Sequence, residues 1–302
     1  MGLYADHRTR MLLAMHSIRW LLAALVIFAA HAADRIRVNA NMVVVNVSVT
    51  DSYGRPIAGL EREKFRVFED RKEQPIAFFA RDDSPLSLVM IFDSSGSMKR
   101  KIAKARRMAA QFCAELNPED EMALVVVQEQ SRLERKFTSD CGEIEADLLE
   151  MQATGRTALL DAIPLAIRTL KTARNRRRAI LLISDGEENN SHVSRSGIRQ
   201  LVCEADAPIY AAGLTEGPSD MDGDSGGEIL SELIAASGGR YWDLDDRRLE
   251  EAAHHIASEL HEQYVIGYRA PEGAAGRYRR ISVKVNAPHV SISYRSGYFG
   301  PE

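Results

Sequence analysis

Four short apolar runs, at residues 86–92, 122–127, 179–183 and 208–212, alternate with stretches of helical periodicity. That alternation leaves few options for the middle of the chain. Strands buried on both faces read as continuous apolar runs, and strands joined through helices lie parallel. Residues 86–262 are therefore expected to form an α/β body with a parallel sheet and crossover helices. The first two runs bracket a helix with Ile102, Ala105, Ala109, Phe112 and Leu116 on one face. Residues 132–137 follow the second run too closely for a crossover and fit an antiparallel edge strand. Further helices are expected at 158–172, 196–204, 229–236 and 248–261.

The flanks have a different period. Val43, Val45, Val47 and Val49 alternate with more polar neighbours, as in a half-buried strand, and a turn signal follows at 51–56. Phe65-Arg-Val-Phe68 and Ile76-Ala-Phe-Phe79 read as two further strands joined by a charged turn around Asp70-Arg71. Beyond residue 263 the alternation returns, with Ile281, Val283 and Val285 in one strand and Val290, Ile292 and Tyr294 in another. Neither flank buries enough alone, and each leaves open edges. The expected solution is one small β-sandwich built from both ends, segment 36–84 pairing with 263–302, with the α/β domain of 85–262 inserted between them.

At the N-terminus, Arg8, Arg10 and Arg19 precede an apolar run at 21–30, and Ala30-His31-Ala32 fits a small-residue cleavage site. This is the pattern of a signal peptide over 1–32, with export to the periplasm or beyond. The run is shorter than the ~20 residues of a membrane span. Its removal takes away three Arg and one Asp, leaving 36 basic and 42 acidic residues, net −6. That acidity argues against a nucleic-acid partner, and no later segment is apolar enough to span a bilayer. The three cysteines, Cys113, Cys141 and Cys203, match no zinc spacing, and their odd number leaves at least one thiol over. Cys113 falls among apolar helix positions, as a buried small hydrophobe does.

Asp93-Ser94-Ser95-Gly96-Ser97 closes the first apolar run. It offers one carboxylate and two hydroxyls at the carboxyl end of a strand, where open α/β sheets bind ligands. Such oxygens suit a hard divalent cation. Asp185, followed by Gly186, ends the third run, and Thr157 lies in the loop Thr154-Gly155-Arg156-Thr157 just before a helix. Alone, each segment is an ordinary helix cap or turn.

Together and in this order, they resemble the von Willebrand factor type A (VWA) domain. The resemblance implies a Rossmann-like, doubly wound, mostly parallel sheet. It also implies a metal-ion-dependent adhesion site (MIDAS) at Asp93, Ser95, Ser97, Thr157 and Asp185, holding Mg²⁺, or Mn²⁺ or Ca²⁺. The context Gly155-Arg-Thr157-Ala-Leu-Leu-Asp-Ala-Ile163 and the segment Gly238-Gly-Arg-Tyr-Trp242 are similar to that family as well. Val47-Ser-Val-Thr-Asp51, Phe65-Arg-Val-Phe-Glu-Asp70 and Tyr264-Val-Ile-Gly-Tyr268 extend the resemblance to an exported bacterial VWFA-related, acidobacterial-type family. Arg71 departs from that pattern, where Asp-Gly is usual, which puts the tight turn there in question.

The donor set argues for binding rather than cleavage. Three of the five donors are neutral hydroxyls, so a bound divalent ion stays electron-poor and can accept an Asp or Glu carboxylate from a partner protein. The motif supplies no nucleophile and no general base. The alternative is a scaffold in an envelope complex, its metal only stabilising loops. Glu187 and Glu188 read as a solvated loop with Glu187 able to tune the ligand face, and the acidic stretch Asp220-Met-Asp222-Gly-Asp224 should lie on the same face. That stretch is not an EF-hand, since Ser225 stands where the motif needs Gly and Ser231 where it needs Glu. Gly223-Asp-Ser225-Gly-Gly227 copies a serine-protease pentapeptide, but a triad is defined by geometry, a helical pattern follows Ser225, and His31 lies in the leader. His254, His255 and His261, and the basic residues Lys99, Arg100, Lys101, Lys104, Arg106, Arg107, Arg174 and 176–178, are expected to be solvated or to attract an acidic partner.

Overall fold

The middle of the chain winds around one sheet. In the computed structural model, which describes residues 42–214, 225–244, 249–271 and 276–300, six strands lie in the order β10-β9-β8-β5-β6-β7. They are β5 (Leu86–Asp93), β6 (Glu121–Val127), β7 (Arg132–Thr138), β8 (Arg177–Ser184), β9 (Ile209–Gly213) and β10 (Tyr241–Asp243). All pair in parallel except β7, the expected antiparallel edge. Helices α1 (Ile102–Ala114), α2 (Cys141–Glu150), α3 (Leu159–Leu170), α4 (Arg195–Glu204), α5 (Ser225–Ser237) and α6 (Leu249–His261) cover the two faces.

Alternation within β5 sets which helix goes where. Leu88, Met90 and Phe92 pack with Met108 and Phe112 of α1, Ile144 of α2 and Ile256 of α6. Val89 and Ile91 point the other way, against Ile163 of α3, Val202 of α4 and Leu233 of α5. Every residue of β5 is buried, as a central strand covered on both sides must be. The α1 face includes Met108 beyond the residues expected, Cys113 is buried on it as expected, and Ile102 and Leu116 are only partly buried at its ends.

The two flanks combine as expected. One four-stranded sheet has the order β13-β1-β11-β4 and the other β14-β12-β2-β3. Strands β1 (Met42–Thr50), β2 (Phe65–Glu69), β3 (Lys72–Gln74) and β4 (Ile76–Asp82) precede the α/β body. Strands β11 (Gln263–Arg269), β12 (Tyr278–Val285), β13 (Ser291–Tyr294) and β14 (Gly297–Phe299) follow it. Early and late strands pair antiparallel across the insertion: Val47 with Tyr294, Phe79 with Ile266 and Val67 with Val283. Val45, Val47, Val67, Ile266, Tyr268 and Val283 share one core between the two sheets. Interleaving early and late strands gives each sheet four strands and a shared core that neither flank could build alone.

The turn in question at Asp70-Arg71 keeps its geometry. Both residues have positive φ, 46° and 70°, as a two-residue type I′ hairpin requires. Asp70 offsets the strain by accepting from Arg280 N (3.1 Å) and Arg279 Nη1 (3.0 Å). Arg71 has no such aid and sits in a conformation that L-residues other than Asn and Asp seldom adopt.

Several polar residues expected in solvent have fixed places instead. His261 joins Asp120 through Nε2 at 2.8 Å and Ala257 O through Nδ1 at 2.8 Å. His255 is buried and stacks on Trp242 with centroids 5.6 Å apart. His254 remains exposed beside Glu115. In the basic run, Arg106 donates to Leu148 O (2.8 Å) and Met151 O, and Lys104 to Leu244 O (2.5 Å). Arg177 is buried and donates to Ser84 O (2.8 Å). Long cationic side chains here satisfy loop carbonyls, which a solvated-face reading does not anticipate.

Polar contacts join the body to the sandwich. Arg240 donates to Thr50 Oγ1 (3.2 Å) and Ser293 Oγ (3.1 Å). Gly238, at φ 84°, lies so near the backbone of Tyr294 and Arg295 that an added Cβ would come within 2.4 Å of it. Among the described residues no helix is long and apolar enough to cross a membrane; the expected leader, 1–32, lies outside them.

Candidate functional site

Strand order reverses at β5. The chain leaves β5 for β6 on one side and reaches β8 later on the other. Loops leaving such neighbours diverge and open a crevice at their carboxyl ends. Asp93 ends β5 and Asp185 directly follows β8, so the two carboxylates flank the crevice. The loop carrying Thr157 is the third wall.

Backbone hydrogen bonds lock the three loops together. Thr154 N donates to Ser94 O (3.0 Å) and Gly96 N to Gly155 O (3.0 Å). Gly155 needs its positive φ of 80°, and an added Cβ on Gly96 would meet Gly155 O at 3.0 Å. Asn189 and Asn190 both donate to Thr157 O (3.2 and 3.0 Å), while Asn189 Oδ1 accepts from Thr157 N (3.0 Å). Glu188 is not a solvated loop residue. It accepts from Leu160 N (2.9 Å) and Ser191 Oγ (2.7 Å), capping the start of α3. Glu187 is exposed.

The side chains converge accordingly. Ser95 Oγ and Ser97 Oγ are 3.1 Å apart, and Ser97 Oγ donates to Asp185 Oδ1 at 3.2 Å. Asp93, fully buried, accepts from Ser95 N (2.9 Å) at one oxygen and from Ser184 Oγ (2.6 Å) at the other. Thr157 is buried at 1% exposure on its loop. Thus four of the five sequence-derived positions are joined by hydrogen bonds or one intervening group, and the fifth is tied to the loop after Asp185. Asp220, Asp222 and Asp224 lie outside the described residues. Ser225 is the first residue of helix α5.

Electrostatics distinguish the two carboxylates. Burial pushes the Asp93 carboxyl up to about 6, with the Asp185 charge adding to it, against the lowering hydrogen bonds of Ser184 and Ser95. Its hydrogen-bond partners are all neutral. Asp185 has a cation: Lys101 Nζ is 3.1 Å from Oδ2. Ser184 and Lys101 were missed as site residues by sequence reasoning. Ser184 adjoins Asp185 at a strand end, and Lys101 lies four residues past Ser97, one turn along; both spacings were visible.

The donor set fits a hard divalent cation. It is all oxygen, two carboxylates with three hydroxyls, and one buried carboxylate lacks a counter-charge among its bonded partners. Among the described residues no group of three or more His, Cys, Asp or Glu is placed to hold a metal. Any such ion would depend on the serine and threonine hydroxyls.

Comparison with known proteins bears on the fold. The family profile of the von Willebrand factor type A domain matches residues 88–188, which enclose all five positions. A solved structure described as von Willebrand factor type A from Catenulispora acidiphila is similar over 88% of this chain and 76% of that one. It has 13% identity and a TM-score of 0.52, a likeness of fold. An aerotolerance-related membrane protein from Bacteroides fragilis aligns over 58% of this chain and 98% of its own, at 21% identity and TM-score 0.47. The vWF domain of the type V pili tip protein Mfa5 from Porphyromonas gingivalis aligns over 59% and 96%, at 13% identity and TM-score 0.47. No curated protein sequence matches the chain.

Proposed function

Because this chain carries a von Willebrand factor type A domain, we propose that it is a divalent-metal-dependent protein-binding module of an exported protein. It acts in the periplasm or outside the cell and is not an enzyme. Asp93, Ser95, Ser97, Thr157 and Asp185 would hold the ion, Mg²⁺ or else Mn²⁺ or Ca²⁺. When bound, the ion supplies an open coordination position for an Asp or Glu carboxylate of the partner.

The observation that carries this reading is the state of Asp93. A buried carboxylate with neutral partners costs free energy to ionise, and here it faces two clustered hydroxyls and a second carboxylate. Ser184 holds one oxygen of Asp93 and the Ser95 amide the other, so its orientation is fixed in advance. The interlocked loops keep Ser95 and Ser97 in place without reorganisation. Glu187, exposed beside Asp185, and the acidic stretch 220–224 would tune which partners approach.

The scaffold reading is favoured by one feature: the loop-to-loop backbone bonds hold the crevice together through protein contacts alone. Affinity capture separates the two. The purified protein is immobilised and exposed to envelope extract with Mg²⁺ or with chelator, alongside Asp93→Ala. The binding-module reading expects a partner retained only by wild type with metal. Retention unchanged by chelator and by Asp93→Ala, with the fold intact, supports the scaffold.

A further inference from the structure

Lys101 is a cationic side chain bonded into the crevice. Its ammonium lies 3.1 Å from Asp185 Oδ2, with the lysine side chain 17% exposed and the aspartate side chain 1%. Its backbone is fixed: Lys101 N donates to Met98 O (2.8 Å), and its carbonyl accepts from Ala105 N (2.9 Å) as α1 begins. Asp185 is thereby divided. Oδ1 accepts from Ser97 Oγ (3.2 Å) and Glu187 N (3.3 Å), while Oδ2 faces the lysine. Asp93 receives no such charge from its own bonded partners.

We propose that Lys101 is a built-in counter-ion of the site: it holds divalent-metal affinity down and leaves the loaded site with a net positive charge that selects anionic ligand groups. The inference rests on reading these loops as a metal site. Two cations that share one carboxylate repel each other, and because the shared Asp185 side chain is 1% exposed, water screens the repulsion less than at a surface pair. The charge count then changes sign of purpose. Asp93 and Asp185 alone would cancel a divalent ion; with Lys101 present, one positive charge is left over. Lys99 and Arg100, both exposed on the same turn, extend that field toward solvent. A partner's carboxylate meets an attractive site, whereas a neutral oxygen ligand gains much less.

The test is Mn²⁺ binding to the purified protein, read by electron paramagnetic resonance of free Mn²⁺ and by calorimetry. It compares wild type, Lys101→Met, Lys101→Gln and Lys101→Arg, each checked for fold by circular dichroism. Met keeps the apolar stem and Gln keeps a polar tip, so a folding failure in one leaves the other. Both neutral variants should bind Mn²⁺ roughly tenfold more tightly or better, and Lys101→Arg within about twofold of wild type. Binding by the neutral variants alone would also support the proposal. Equal or weaker binding by the neutral variants, with wild type binding normally, overturns the role of Lys101 and leaves the metal-site reading standing. Absence of Mn²⁺ binding by wild type and every variant overturns both.

Discussion

Two buried aspartates stand at opposite ends of neighbouring parallel strands, and their surroundings differ. Asp120, just before β6, accepts from Leu86 N (2.7 Å), Asn117 N (2.8 Å) and His261 Nε2 (2.8 Å). Burial alone would raise its carboxyl. The His261 hydrogen bond, the two amides and the His261 charge outweigh burial and hold it below the usual range. Asp93, at the far end of β5, has one hydroxyl and one amide and is pushed up to about 6 by burial. Asp120 is complete: it ties the start of β5 to the end of α6, where the chain passes from the α/β body into β11. Asp93 has comparable burial and no cation among its bonded partners. The contrast separates a carboxylate that holds the fold from one that the fold holds ready.

Breaking the complete member should cost most. Asp120→Ala leaves two backbone amides and an imidazole without their acceptor, a loss of about 2–4 kcal/mol in urea unfolding. Asp93→Asn keeps the shape, removes a buried charge, and should change metal-free stability by less than about 1 kcal/mol at neutral pH. A large loss in Asp93→Asn without metal would mean that Asp93, too, is a structural latch.

Next in size is the response to metal. At about a hundredfold over its dissociation constant a ligand bound only by the native state stabilises by about 2.7 kcal/mol. Mg²⁺ should raise the melting temperature of wild type and of Asp120→Asn alike, and leave Asp93→Asn unmoved. A metal response lost in Asp120→Asn would join the two ends of the sheet and dissolve the distinction.

The pH response sharpens it further. Because the Asp120 carboxyl is depressed in the folded state, its contribution is present above the unfolded value of 3.8 and is lost as pH falls through the folded one. The stability gap between wild type and Asp120→Asn should therefore be full at pH 7 and shrink in acid. A gap constant across that range would assign the effect to packing. Ser184→Ala removes one hydrogen bond to Asp93 and should cost about 1 kcal/mol. It should also weaken metal binding about tenfold or more by freeing the carboxylate's orientation.

These two ends were unequally legible in the sequence. The crevice was readable because its donors are local punctuation that the family resemblance joins: Asp93 and Asp185 end apolar runs, Ser95 and Ser97 follow Asp93 closely, and Thr157 lies in a glycine-containing loop just before a helix. The parallel sheet with crossover helices and the pairing of the two flanks followed from hydrophobic period and from the need to cover edges, while the doubly wound order came from the family resemblance. Asp120 and His261 were not readable, since their bond joins residues 141 positions apart and neither stands in a motif. His261 looked like one of three solvated histidines for that reason. Helix α2 also went unread, although Asp140 caps it by accepting from Gly142 N (2.8 Å) and Ile144 and Leu148 are buried one turn apart. The apolar content there is thin and adjoins an edge strand. Ser184 and Lys101 had the right spacing, but their roles depend on which neighbour is already satisfied, a property of the packed loops.

Calorimetric titration of Mg²⁺ into wild type and Asp93→Asn at neutral pH, with both variants shown to be folded, tests the central claim most directly. The account predicts saturable, one-to-one binding by wild type that the single carboxylate-to-amide change abolishes. Equal binding by both proteins would contradict it, as would no binding by either.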